Sequence, residues 1–115
     1  MSGYARIRIM GKAGEDPAKK TVNGKDFVRL SIGCNDAEYK GKTEWFKAIF
    51  WGKLVDVCIE NVAKGSLIEV HGLPHLNVWQ DQHGRTFQEL QIRVKEIYFV
   101  STPRKRAEYN PDEKL

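Results

Sequence analysis

A chain of 115 residues, 41% hydrophobic and 30% charged, is long enough for one domain with a core of its own, and one domain is expected. Its net charge of +4, from 19 Lys and Arg against 15 Asp and Glu, leans toward an anionic partner without demanding one. Cys34 and Cys58 form no Cys-x-x-Cys pair, which argues against a zinc motif and a disulfide framework, so both are expected to be reduced and structural.

The opening "MSGYARIRIM" places two arginines inside its only apolar run, unlike a secretory leader. No later run reaches the ~18 apolar residues of a membrane span, so a soluble, cytoplasmic protein away from the membrane is expected. From Ala5 to Met10, Ile7 and Ile9 alternate with Arg6 and Arg8, which predicts a strand with one basic face, ended by Gly11 and Gly14. "EDPAKKTVNGKD" reads as turn chemistry through Asp-Pro and Asn23-Gly24, and a second strand follows from about Phe27 through "FVRLSIGCN". The polar "DAEYKGK" turns at Gly41 and leads into a third strand within "TEWFKAIFWGKL".

"KLVDVCIENVAKG" changes period. Leu54, Val57, Cys58 and Val62 recur at helical spacing and Gly65 supplies a stop, which predicts a helix from about Lys53 to Lys64. "SLIEVHGL" then alternates as a fourth strand, and the chain returns through a long hairpin at His83-Gly84 into a fifth, from about Phe87 to Val100. An all-β, five-stranded barrel with one helix between the third and fourth strands is the order of the OB-fold, a small Greek-key barrel. Residues 1–100 are expected to form this domain and 101–115 a short flexible tail.

The third strand carries the functional signal. Read with period two, Phe46, Ala48 and Phe50 form one row and Trp45, Lys47, Ile49 and Trp51 the other. The first suits a core. The second sets two indoles around an ammonium, a group rarely buried without a partner, and is the candidate surface.

"GKAGEDP", "NGKDFVRLSIGCN", "KTEWFKAIFWGKL", "KGSLIEVHG" and "WQDQHG" occur in the order and near the spacings of the bacterial single-stranded DNA-binding proteins. The chain resembles that family from about Ala5 to Val100. Thr43-Glu44-Trp45, followed six residues after the indole by an aromatic and then Gly-Lys-Leu, is the most specific element.

The resemblance implies a nucleoid-associated homotetramer, a dimer of dimers, that wraps single-stranded DNA in replication, recombination or repair. It assigns base stacking to Tyr39, Trp45, Trp51 and Trp79 and phosphate contacts to Lys47, Lys53 and Lys64, and it sets Phe46 at a subunit interface. The resemblance implies no cofactor. The short "AEYKGK" puts in doubt whether Tyr39 reaches its base. In "PHLNV", His75 and Asn77 replace arginines common in the family, so phosphate holding there should be weaker. The chain stops at "RAEYNPDEKL" without the family's acidic, phenylalanine-terminated tip, so recruitment of replication or repair enzymes through such a tail is not expected.

The plainer readings are packing for any single tryptophan, barrel or interface packing for Phe87 and Tyr98, and a solvated tail after Val100. His71, His75, Asp81 and His83 cluster in sequence, but a strand ladder does not aim them at one point, so no metal is expected. No nucleophile with its base, phosphate loop or carboxylate pair supports an enzyme. Two alternatives share the fold: a dimeric accessory protein of the primosomal type, and a protein-interaction module using the Trp row.

Overall fold

The computed structural model describes residues 2–36, 38 and 40–103. Its elements are β1 (Ile7–Ala13), β2 (Lys19–Val22), β3 (Lys25–Cys34), β4 (Glu44–Trp51), α1 (Lys53–Asn61), β5 (Leu67–Gln80) and β6 (Thr86–Ser101). One sheet runs β1-β5-β6-β4-β3-β2, and a further β1–β3 pairing closes it. The closed ring is therefore the five long strands, with β2 added outside as an edge.

That sixth strand differs from the expectation. Asn23 and Gly24 both take positive φ, 50° and 76°, as a two-residue hairpin turn requires, and fold Lys19–Val22 back onto Lys25–Val28. All four β2 residues are exposed, so no apolar alternation marks the strand. Counting every strand, the helix follows the fourth; along the barrel it still lies between the third and fourth.

Strand β1 also runs further than predicted, through Gly11 to Ala13. Gly11 does not break it, because the closing contact with β3 needs a bare backbone: a β-carbon on Gly11 would stand 2.4 Å from the Gly33 carbonyl oxygen. Closure is made by Lys12 opposite Gly33 and Ala13 opposite Ile32.

Inward rows from every barrel strand meet in one core of Ala13, Val28, Leu30, Ile32, Ala48, Phe50, Ile68, Val70, Ile92 and Val94. Val55 and Cys58 of α1 cap one end of it. The helix stops at Asn61, three residues short of the expected end. Val62 is extended, and it and Ala63 are buried, so the chain leaves the helix axis to seat both side chains. Buried Ser66 secures this exit, its hydroxyl accepting from the Ala63 N–H at 2.9 Å. Both cysteines are free and buried, and burial pushes the Cys58 thiol up to about 12. A protonated, enclosed thiol is a packing residue.

Candidate nucleic-acid interface

The two rows of β4 separate as the alternation predicts. Ala48 and Phe50 are fully buried and Phe46 packs half-buried against the core, while Trp45 is 57% and Trp51 41% exposed. Pairing extends the exposed row sideways. On β3, Gly33, Ser31, Arg29 and Phe27 stand opposite Trp45, Lys47, Ile49 and Trp51; on β6, Gln91 and Arg93 stand beside Lys47 and Ile49. Ile49, buried in this row, is flanked in the ladder by the long stems of Arg29 and Arg93, which suit an apolar residue beneath charged heads.

Each exposed indole has a defined support. Trp45 lies over a floor of two glycines: a β-carbon on Gly14 would come 2.8 Å from its Cζ3, and one on Gly33 3.0 Å from its Cη2. Trp51 leans on Phe27, with ring centroids 4.9 Å apart and planes tilted by 31°. Trp79, on the β5–β6 hairpin, faces Phe87 at 5.7 Å and 21°. The ladder puts Trp79 on the same side of the sheet as the β4 row, because Phe87, Glu89, Gln91 and Arg93 share one face of β6.

The charges on this face are mixed. Lys47 donates to the Ser31 hydroxyl, which leaves two ammonium protons for other acceptors. Arg29 is paired with Glu89, which also accepts from Gln91 at 3.0 Å. Burial pushes the Glu89 carboxyl up, but the hydrogen bonds from Gln91 and Arg29 and the charges of Arg29 and Lys47 outweigh it and hold it below its ordinary range. An ionised carboxylate thus stands inside a face expected to be cationic.

Among the predicted residues, Trp45, Lys47 and Trp51 lie on one strand and Trp79 joins them through the ladder. Lys53, exposed, opens α1 directly after Trp51 and Gly52. Lys64 is exposed but off this row, in the post-helix loop, where its N–H donates to Asp16 Oδ1 at 2.8 Å. That loop adjoins the segment carrying Gly14, since the Gly65 N–H donates to the Ala13 carbonyl at 2.8 Å. Tyr39 lies outside the described residues. Phe46 points inward, away from the tryptophan row, and borders a groove with Arg8, Ile9, Met10 and Cys34.

The face also holds Phe27, Arg29, Phe87, Glu89 and Arg93, which the sequence motifs do not mark. Alternation from Phe27 to Cys34 contains the signal for Phe27 and Arg29, but the pairing register that sets them beside Trp51 is a tertiary fact. Phe87 and Tyr98, expected to pack in the barrel or at an interface, are 40% and 47% exposed on the single chain, so neither belongs to the barrel core. Phe87 sits beyond the stretch of β6 that β4 covers, and Tyr98 stands on the outer side of the sheet, donating to Glu96 at 2.9 Å. Among the described residues no group of three or more His, Cys, Asp or Glu is placed to hold a metal ion. His71 instead lies beside the Glu69 carboxylate, with Glu96 3.7 Å from its other ring nitrogen.

A five-stranded barrel closed between its first and second long strands, capped by one helix and bearing three supported, half-exposed indoles, defines an OB-fold with an exposed aromatic face. The single-strand binding protein family model matches residues 4–100, and the chain belongs to that family. Solved structures agree on the fold. The mitochondrial single-stranded DNA binding protein Rim1 of S. cerevisiae aligns with a TM-score of 0.75 at 19% identity, over 89% of this chain and 100% of that one. A Plasmodium falciparum SSB in complex with single-stranded DNA aligns at 0.73 and 22%, over 88% and 98%.

Proposed function

We propose that the chain binds single-stranded DNA with little regard to sequence and shields it in replication, recombination or repair, acting as a binder and not as a catalyst. The observation that carries this is the β4 row, where two half-exposed indoles on fixed supports flank an ammonium. Every base offers a π-face and every nucleotide a phosphate, so a surface made of rings and cations accepts any sequence. Trp45, Trp51 and Trp79 serve as stacking platforms, with Tyr39 a fourth by resemblance. Lys47, Lys53 and Lys64 neutralise phosphate, as does Arg93 on the same face.

Stacking contributes ~1–3 kcal/mol per base, and each single-strand phosphate contact adds about 0.7 to the salt slope. Affinity should therefore rest on the rings at high salt and on rings and cations together at low salt. Titrating the tryptophan fluorescence with oligothymidylate at two salt concentrations tests this directly. Strong quenching with a linear fall of log K against log salt supports it; an unchanged emission at low salt, with no binding, sinks it.

The same reading includes a homotetramer built as a dimer of dimers. Exposed Met10 and Tyr98 on the outer side of β1 and β6, and Phe46 beside a groove, offer apolar area for contacts between copies. Light scattering at micromolar protein measures the mass; a stable monomer overturns it.

A further inference from the structure

The β5–β6 hairpin outgrows the barrel. Strand β4 engages β6 only at Gln91, Ile92 and Arg93, whereas β5 and β6 stay paired to Gln80 opposite Thr86. Past the β4 contact the two strands form a free arm, and Trp79 and Phe87 face each other one step from its tip. They are 42% and 40% exposed, with planes 21° apart.

The turn that ends the arm is built around Asp81. Its Oδ1 accepts from the N–H groups of His83 and Arg85, at 2.8 and 2.9 Å, and its Oδ2 accepts from Arg85 Nε at 2.6 Å. Desolvation pushes this carboxyl up, but those bonds prevail and hold it below its ordinary range, so it stays ionised around neutral pH. The clamp sets the Arg85 guanidinium 5.9 Å from the centre of the Phe87 ring. That is the outer limit of about 6 Å for a cation–π contact, so the guanidinium borders the ring face without sealing it.

A ring pair at an arm tip has no core beneath it. Stacking between the two rings stiffens the arm, worth roughly 0.5–1.5 kcal/mol, yet leaves each residue about two-fifths exposed to solvent. The ladder also carries this pair on the side of the β4 row.

We propose that Trp79, Phe87 and Arg85 form one nucleotide-binding subsite at the arm tip, in which Phe87 is a base platform in its own right and Arg85 meets the adjoining phosphate. This rests on the single-stranded DNA reading. It lengthens the bound path: with Lys47 level with Gln91 in a parallel register, the arm extends past the Trp45 end of the β4 row, and a strand leaving Trp45 crosses Asn77 and Glu89 before it is caught again by two rings and a guanidinium.

The test is ultraviolet cross-linking of oligothymidylate to the full chain, with the attached residues mapped by mass spectrometry, alongside titration of Phe87→Leu and Phe87→Tyr. Leucine keeps apolar bulk beside Trp79 but has no π-face; tyrosine keeps the face. The expected results are a thymine adduct on Phe87, about 5- to 100-fold weaker binding for Phe87→Leu at an unchanged melting temperature, and near-parental binding for Phe87→Tyr. An unmodified Phe87 together with parental affinity in Phe87→Leu, while Trp45→Ala binds weakly, overturns the subsite and leaves the function standing. A parent chain that binds no oligothymidylate overturns both.

Discussion

The Trp45 indole lies over Gly33, its cross-strand neighbour, so closely that a β-carbon there would stand 3.0 Å from the ring. Gly14 closes the same floor from the end of β1, at 2.8 Å. Backbone, not a side chain, thus sets the plane of this ring. A platform held flat before its ligand arrives loses little freedom on binding, which is how preorganisation raises affinity.

Gly33→Ala should therefore lift the ring without breaking the barrel. Gly33 has no positive φ, so alanine fits the backbone and the indole must move by a few tenths of an ångström. The expected outcome is a shifted tryptophan emission and DNA affinity reduced by about 1 kcal/mol, part of the ~1–3 kcal/mol of one stacked base, at a nearly unchanged melting temperature. Parental emission and affinity would mean that the glycine floor does not fix the ring.

Gly72→Ala should behave oppositely. A β-carbon on Gly72 would lie 2.1 Å from the Arg93 carbonyl oxygen, at the bulge where β5 changes register with β6. Backbone cannot swing aside as a side chain can, so a strand must shift, at a cost at or above the roughly 1–3 kcal/mol typical of overpacking. Chemical denaturation should show a lower midpoint and DNA affinity should fall only with the folded fraction. An unchanged midpoint would show that the bulge absorbs the methyl group.

Glu89→Gln should strengthen DNA binding. The variant removes the negative charge from the tryptophan face and frees Arg29 from its ion pair. Binding should tighten at low salt, with the log K against log salt slope steeper by about 0.7 for one added phosphate contact. Stability should fall slightly, since the Glu89 carboxyl is held below its ordinary range in the fold. Its contribution is present above the ordinary carboxylate pKa and is lost as pH falls through the depressed one. Weaker binding by the variant would mean that the Arg29–Glu89 pair organises the face and does not merely neutralise it.

Much of this surface was legible because period two is a local property. The split between Phe50 and Trp51 follows from alternation within eight residues of β4, and the barrel order follows from where the period switches once to a helix. The supports were not legible. Gly33 under Trp45, Phe27 beside Trp51 and Glu89 across from Arg29 depend on register between strands, the last joining positions 60 apart in sequence. β2 is hidden in the sequence for a different reason: an edge strand exposed on both sides carries no apolar rhythm, and only its Asn-Gly turn betrays it. The helix ends before the stop that Gly65 signals, because burial of Val62 and Ala63 draws the chain off the helix axis first.

Cys58 makes the fold sensitive to alkali. Its thiol is raised from 9.0 to about 12 by burial, so between those values the unfolded chain has lost a proton that the folded chain keeps. The contribution is complete below pH 9 and declines as pH rises toward 12, with a slope of about 1.4 kcal/mol per pH unit. Cys34, raised by burial as well, adds in the same direction. Denaturation midpoints from pH 8 to 11 should fall for the parent and less for Cys58→Ala, measured against each protein's own value at pH 8. Equal declines would show that other groups set the alkaline limit.

Phe50 and Trp51, neighbours in sequence, should separate stability from binding. Phe50 is fully buried in the barrel and Trp51 is 41% exposed on the opposite face. Phe50→Ala opens a cavity and should cost ~3–5 kcal/mol, lowering the melting temperature by more than about 10 °C. Whatever remains folded should still bind DNA. Trp51→Ala should melt close to the parent yet lose ~1–3 kcal/mol of binding, while Trp51→Phe loses much less because a phenyl ring still stacks and still meets Phe27. Lys47→Ala, between the two indoles, should lower the salt slope by about 0.7 and leave the quenching at saturation intact, since it removes a phosphate contact and no ring. If Trp51→Ala instead melts far below the parent and its folded fraction binds as the parent does, the exposed row is a structural cover for Ile49, and the DNA path must run elsewhere on the barrel.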